Sequence, residues 1–133
     1  MMSVTSVSDR VLHHPWVLIR ARDFIEQNLH DPISIEDIAR AAGCSGRMVH
    51  AVFQNQLGVP PITYLRHLRL DLVREALLTT DATVSDAAMR SGFTHLGRFS
   101  RAYFLRFGEL PSQTRARAAL PLSQSRFEVR AAA

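Results

Sequence analysis

The feature that most limits what this chain can fold into is an internal repeat. Ser34, Ile35, Asp37, Ile38, Ala39 and Gly43 recur 49 residues later as Thr83, Val84, Asp86, Ala87, Ala88 and Gly92. After one inserted residue the correspondence resumes at an offset of 50, pairing Val49 with Phe99, Phe53 with Tyr103, Gly58 with Gly108 and Pro61 with Pro111. Self-similarity at a fixed period means that one supersecondary unit is built twice. Each copy reads as a capping hydroxyl, a short helix with alanine at its centre, a glycine turn and a capped second helix. Two helices crossing steeply over a turn of roughly three to four residues make a helix-turn-helix. The alanines at 39 and 88 let the second helix approach the first, and glycine supplies a left-handed turn.

The rest of the chain is punctuated as helices too. Pro15 suits a first helical position, followed at helical spacing by Val17, Ile19, Ala21, Phe24, Ile25 and Leu29, and His30-Asp31-Pro32 is expected to stop that helix. Ser34 and Asp37 form a capping-box-like start, with Ile35, Ile38, Ala39 and Ala42 as the apolar face. Ser45 caps the next helix, whose buried positions are Val49, Val52 and Phe53, up to Gly58. Pro60-Pro61 opens the longest helix, about Ile62 to Thr79, with a single core stripe of Tyr64, Leu65, Leu68, Leu72, Val73, Ala76 and Leu77. Thr83 caps a short helix closed by Gly92, a longer one runs from about His95 to Phe107, and Pro111-Ser112 starts a last short one. No alternating strand pattern is sustained. The expected class is all-α, with seven helices.

Composition fits a compact domain: 47% of the residues are hydrophobic and 21% are charged, which disfavours wholesale disorder. No apolar run approaches the ~18 residues of a membrane span. Met1 to Ser8 lacks the basic and apolar segments of a signal peptide. The single cysteine, Cys44, fits a reducing compartment, so a cytoplasmic, nucleoid-associated location is expected. Charge is segregated. All 16 basic residues are arginine; residues 1–44 hold four of them against six acids (net −2), and residues 45–133 hold twelve against six (net +6). A basic half points to a polyanion, and the rigid donor fork of arginine suits phosphate and guanine edges.

These residues carry a family resemblance. The segments Ser34-Ile35-Glu36-Asp37-Ile38-Ala39 with Gly43 and Ser45, and Leu57 through Leu65 with Arg69-Leu70, resemble the AraC/XylS family of bacterial transcription regulators. The second half is closer still: Ser91-Gly92-Phe93, Phe99-Ser100-Arg101-Ala102-Tyr103, and Phe107-Gly108-Glu109-Leu110-Pro111-Ser112 with Arg115. The resemblance covers about Val17 to Arg117. It implies two helix-turn-helix lobes joined by a long central helix, each presenting a recognition helix to a major groove of double-stranded DNA. The expected organisation is an N-terminal arm (1–14), a DNA-binding domain (15–117) and a C-terminal tail (118–133). Within the domain, lobe 1 covers about 15–60, the linker helix about 61–79 and lobe 2 about 83–117. RNA polymerase is a partner by resemblance. A small-molecule effector is implied only with a separate sensor domain, which these 133 residues do not include. The chain then reads as a short member or as part of a longer regulator.

Site residues follow from face and correspondence. In the first recognition helix Arg47, His50 and Gln54 avoid the core stripe, and Arg47 leads because arginine to guanine is the commonest specific contact. In the second, the resemblance implies Arg101 as the strongest base contact, flanked by Arg98 and Ser100. Phosphate contacts are expected at helix N-termini, from Ser45, Thr63, Thr94, Ser112 and Gln113, and from Arg106 one turn beyond Arg101. Arg69 and Arg115 match family positions and are equally open to structural use. Ala51 stands where the family often has a long polar side chain, which thins the readout of the first lobe. A central helix of about 19 residues spans about 28 Å. That is short of the ~34 Å between successive major grooves, so some DNA bending is expected.

Other chemistries lack their motifs. Of six histidines only His13 and His14 are adjacent, and no Cys/His pair has finger spacing, so no metal or other cofactor is expected. With no phosphate-binding glycine loop, nucleophile elbow or carboxylate pair, the chain does not read as an enzyme. The competing reading is an all-α protein-interaction module that has lost DNA binding, which Ala51 and Gly97 favour and the arginine cluster opposes.

Overall fold

The computed structural model of the protein describes residues 14–118 and, among them, contains seven helices and no strand. They are α1 (Pro15–Gln27), α2 (Ile35–Ala42), α3 (Gly46–Leu57), α4 (Pro61–Thr79), α5 (Val84–Arg90), α6 (Leu96–Phe107) and α7 (111–118). The chain divides into two compact units, with the boundary between Leu68 and Arg69 inside α4. The N-terminal arm before residue 14 lies outside the described residues, as does the tail from 119, including Leu120, Leu122, Phe127 and Val129.

In the first unit, Val17, Ala21 and Ile25 of α1 close over Ile38, Ala39 and Ala42 of α2, Val49, Val52 and Phe53 of α3 and Leu65 of α4. α2 begins with a full capping box: Ser34 Oγ accepts the Asp37 N–H, and Asp37 accepts the Ser34 N–H in return. Those bonds to Ser34 hold the Asp37 carboxyl below its usual range, with Arg40 adding to the effect. α1 ends at Gln27, before the expected stop at His30-Asp31-Pro32. The Asn28 side chain ends it by donating to the Phe24 carbonyl at 2.8 Å. Tyr64 sets its ring edge-on to Phe53 at 5.5 Å and accepts a hydrogen bond from Arg22, tying α4 to α1.

In the second unit Leu70, Val73 and Leu77 of α4 pack on Ala87 and Ala88 of α5 and on Phe99 and Tyr103 of α6. Leu70 is 1% exposed although the single-stripe reading of α4 leaves it out. That reading draws one continuous line through a helix whose two ends belong to different cores. α5 stops at Arg90 with Ser91 as its cap, one residue before the glycine that sequence spacing assigns to the stop.

A polar chain fastens α7. Tyr103 donates to Thr114 at 2.8 Å, both side chains being fully buried. The Glu109 carboxyl, held below its usual range by Arg117, also takes a hydrogen bond from Thr114. Thr114→Val is expected to cost about 1–3 kcal/mol, because it strands the buried tyrosine hydroxyl. The double variant Tyr103→Phe, Thr114→Val is expected to be more stable than the two single losses sum to. Urea denaturation of the four proteins checks this; strict additivity would mean the two hydroxyls do not depend on each other.

Candidate nucleic-acid interface

Each unit builds its helix-turn-helix by the same hydrogen bonds. Gly43 (φ 74°) and Gly92 (φ 91°) stand in the left-handed region, where a side chain is strained. The next residue then bonds back in both copies: Cys44 N–H to the Ala39 carbonyl at 3.1 Å, and Phe93 N–H to the Ala88 carbonyl at 3.0 Å. Both bonds obey the 49-residue offset. At Gly92 a second constraint applies, since a Cβ there would lie 3.2 Å from the Arg69 guanidinium. Arg69 therefore packs over the second turn. Cys44 is half-buried against the first core, and burial pushes its thiol pKa up, which fits a small apolar filler rather than a reactive thiolate.

In the first unit α3 starts at Ser45, whose Oγ accepts the Met48 N–H at 3.2 Å. Val49, Val52 and Phe53 face the core, so Arg47, His50 and Gln54 fall together on the opposite side, and all three are exposed. Ala51 is half-buried and packs against the core. Thr63 is half-buried on the first turn of α4.

In the second unit α6 is moored by Phe99 and Tyr103, part of a run of rings: Phe93 to Phe99 at 4.9 Å, Phe99 to Tyr103 at 5.8 Å, Tyr103 to Phe107 at 4.6 Å. With 99 and 103 inward, Arg101 points outward, flanked by exposed Arg98 and half-buried Ser100. Thr94 is exposed just before the His95 N-cap, which makes no side-chain capping bond. Ser112 is exposed on the first turn of α7, whereas Gln113 Oε1 accepts the Leu110 N–H at 2.7 Å and so caps that helix.

The arginines sort by whether they are already engaged. Arg106 makes a two-pronged pair with Asp71 of α4, at 2.8 and 2.9 Å. Arg115 reaches the Thr80 carbonyl at 2.6 Å and also the Ala82 carbonyl, stapling the α4–α5 loop to α7. Arg117 is paired with Glu109. Arg47, Arg98 and Arg101 have no ion pair among the described residues. Sequence spacing groups Arg106 with Arg98 and Arg101; in the structure it stays exposed with its guanidinium on Asp71 of α4, a pairing that spacing along α6 does not reveal. Among the described residues no three His, Cys, Asp or Glu side chains converge as a metal site. No described helix is long and apolar enough to cross a membrane.

Comparison with known proteins agrees with this architecture. A family model described as a helix-turn-helix domain matches residues 38–117. Over 98 residues the chain is 39% identical to XylDLEGF operon transcriptional activator 2 of Pseudomonas putida, a match covering 71% of this chain and 62% of that protein. The chain thus spans less than two thirds of that relative. Among solved structures, a probable AraC family transcriptional regulator from Rhodopseudomonas palustris superposes with a TM-score of 0.73 at 36% identity, covering 77% of this chain and 96% of that one. The DNA-binding domain of AdpA, solved in complex with a target DNA, gives a TM-score of 0.73 at 24% identity, covering 80% of this chain and 96% of that one, which shows a shared fold. With its doubled helix-turn-helix and these relatives, the chain belongs to the AraC/XylS family of transcription regulators.

Proposed function

We propose that the chain binds double-stranded DNA in a sequence-specific way and regulates transcription, each recognition helix entering a major groove of the same duplex. The observation that carries this reading is the set of exposed arginines, without ion pairs among the described residues, on the outward faces of α3 and α6, the helices a helix-turn-helix offers to DNA. Arg47, His50, Gln54, Arg98, Ser100 and Arg101 are assigned to base edges. Ser45, Thr63, Thr94 and Ser112 are assigned to phosphates at helix starts. Gln113 and Arg106 are secondary in that set, since their side chains already serve Leu110 and Asp71. RNA polymerase is the protein partner this role implies, in the cytoplasm; a small-molecule effector belongs to this reading only where a separate sensor domain accompanies the chain. The AdpA neighbour with its target DNA supports the same use of the fold.

Exposed Phe104 and Leu105 on α6 favour the second reading, a helical module that docks a protein. Salt decides between them. Binding to a random duplex, followed by anisotropy, is expected to weaken steeply as salt rises, with a log–log slope of roughly −0.9 for each phosphate neutralised. No binding at about 50 mM salt, or affinity indifferent to salt, would sink the DNA reading.

A further inference from the structure

The first turn of α6 holds two residues that the assignments above leave unused. Leu96 opens the helix 43% exposed and is not among the side chains packed in the second core. Gly97 follows it, exposed, with no positive φ, and a Cβ placed there would meet nothing within 4 Å. Neither backbone conformation nor crowding within the chain calls for glycine, although glycine is the poorest helix former after proline. Further along the same helix stand Arg98 and Arg101, cationic, exposed and without ion pairs among the described residues. A helix start that is apolar at one point, bare at the next and cationic beyond suits the 5-methyl group of thymine, which projects into the major groove between phosphate rows.

We propose that Leu96 reads a thymine methyl, and that the missing side chain at Gly97 admits the groove to the first turn of α6. The proposal rests on the DNA-binding reading above and names a base which that reading leaves open. The helix brings Leu96 and Ser100, four residues apart, to one side, so Ser100 contacts the neighbouring base pair.

The test uses a duplex recovered from a random pool by the full chain, with each thymine replaced in turn by deoxyuridine, which removes the methyl and nothing else. One replacement is expected to weaken wild-type binding about fourfold, the worth of burying a single methyl group. In Leu96→Ala that same replacement is expected to have no effect, and the exposed position leaves helix content unchanged. Gly97→Ala is expected to raise the thermal midpoint of the free chain while weakening binding tenfold or more. A selected duplex that binds but shows no methyl-sensitive thymine, or the same sensitivity in Leu96→Ala, overturns the proposal and leaves DNA binding intact. So does Gly97→Ala binding as tightly as wild type. Failure to recover any duplex overturns both.

Discussion

Phe99→Ala is expected to destabilise the second unit by about 3–5 kcal/mol, a large share of the ~5–15 kcal/mol that holds a typical domain. Phe99 is 1% exposed and lies in van der Waals reach of two other rings, Phe93 and Tyr103. Truncation removes its buried apolar surface and leaves a cavity between α4, α5 and α6. The surrounding rings are held at both ends, by the glycine turn at Phe93 and by the Tyr103–Thr114 hydrogen bond, so they cannot collapse into the gap. That places the cost toward the upper end of the range. The functional consequence follows from geometry. Phe99 fixes the rotation of α6, and rotation decides whether Arg98, Ser100 and Arg101 face outward. Loss of duplex binding should therefore track loss of the unfolding transition, and Phe99→Leu, which keeps most of the volume, should restore much of both. Urea denaturation followed by circular dichroism measures the first, anisotropy the second. A loss under about 1 kcal/mol would show that the aromatic run does not anchor the helix.

Much of this was open to reading from sequence, and the limits of that reading have physical causes. Caps and left-handed turns are local: Ser34, Ser45 and Thr83 each accept the expected N–H, and Gly43 takes the left-handed conformation its place after Ala42 implies. The repeat added long-range information, because a matched pair such as Phe53 and Tyr103 had to fill equivalent core positions. What escaped were contacts between residues far apart in sequence. Leu70 is buried because α4 serves two cores, and periodicity assumes one. The end of α1 hinges on an Asn28 amide folding back on Phe24, which no stop signal encodes. Along α6 the spacing sends Arg106 outward, yet Asp71, 35 residues earlier, holds it. Arg115, open by its position to contact or scaffold use, reaches two carbonyls at 80 and 82 that spacing does not reveal.

With Arg106 tied to Asp71 and Arg115 to the loop, the proposed grip of the second lobe narrows to Arg98 and Arg101. Arg101→Ala is therefore expected to weaken binding to the selected duplex by about 10- to 100-fold, the range of one good bidentate contact, and to do so with little change in stability. Its outward position, opposite Phe99 and Tyr103, means that truncation leaves no cavity. Arg47→Ala acts differently. Exposed at the head of α3, with Ala51 half-buried behind it, Arg47 is the residue we propose as the main base reader of the first lobe. Its loss is expected to relax preference at one base pair by about 1–3 kcal/mol while binding to unrelated sequences changes little. Arg106→Ala supplies the contrast: it breaks a partly exposed ion pair worth about 0–1 kcal/mol and should leave the base preferences of the duplex unchanged. Binding of all three variants to the selected duplex and to single-base-pair variants of it separates these outcomes. Equal, small losses on every sequence from Arg47→Ala and Arg101→Ala would mean that both side chains touch phosphate and that the bases are read elsewhere. A loss from Arg106→Ala as steep as that from Arg101→Ala would mean that Arg106 leaves Asp71 for the DNA, and the division between scaffold and contact arginines would have to be redrawn around α6.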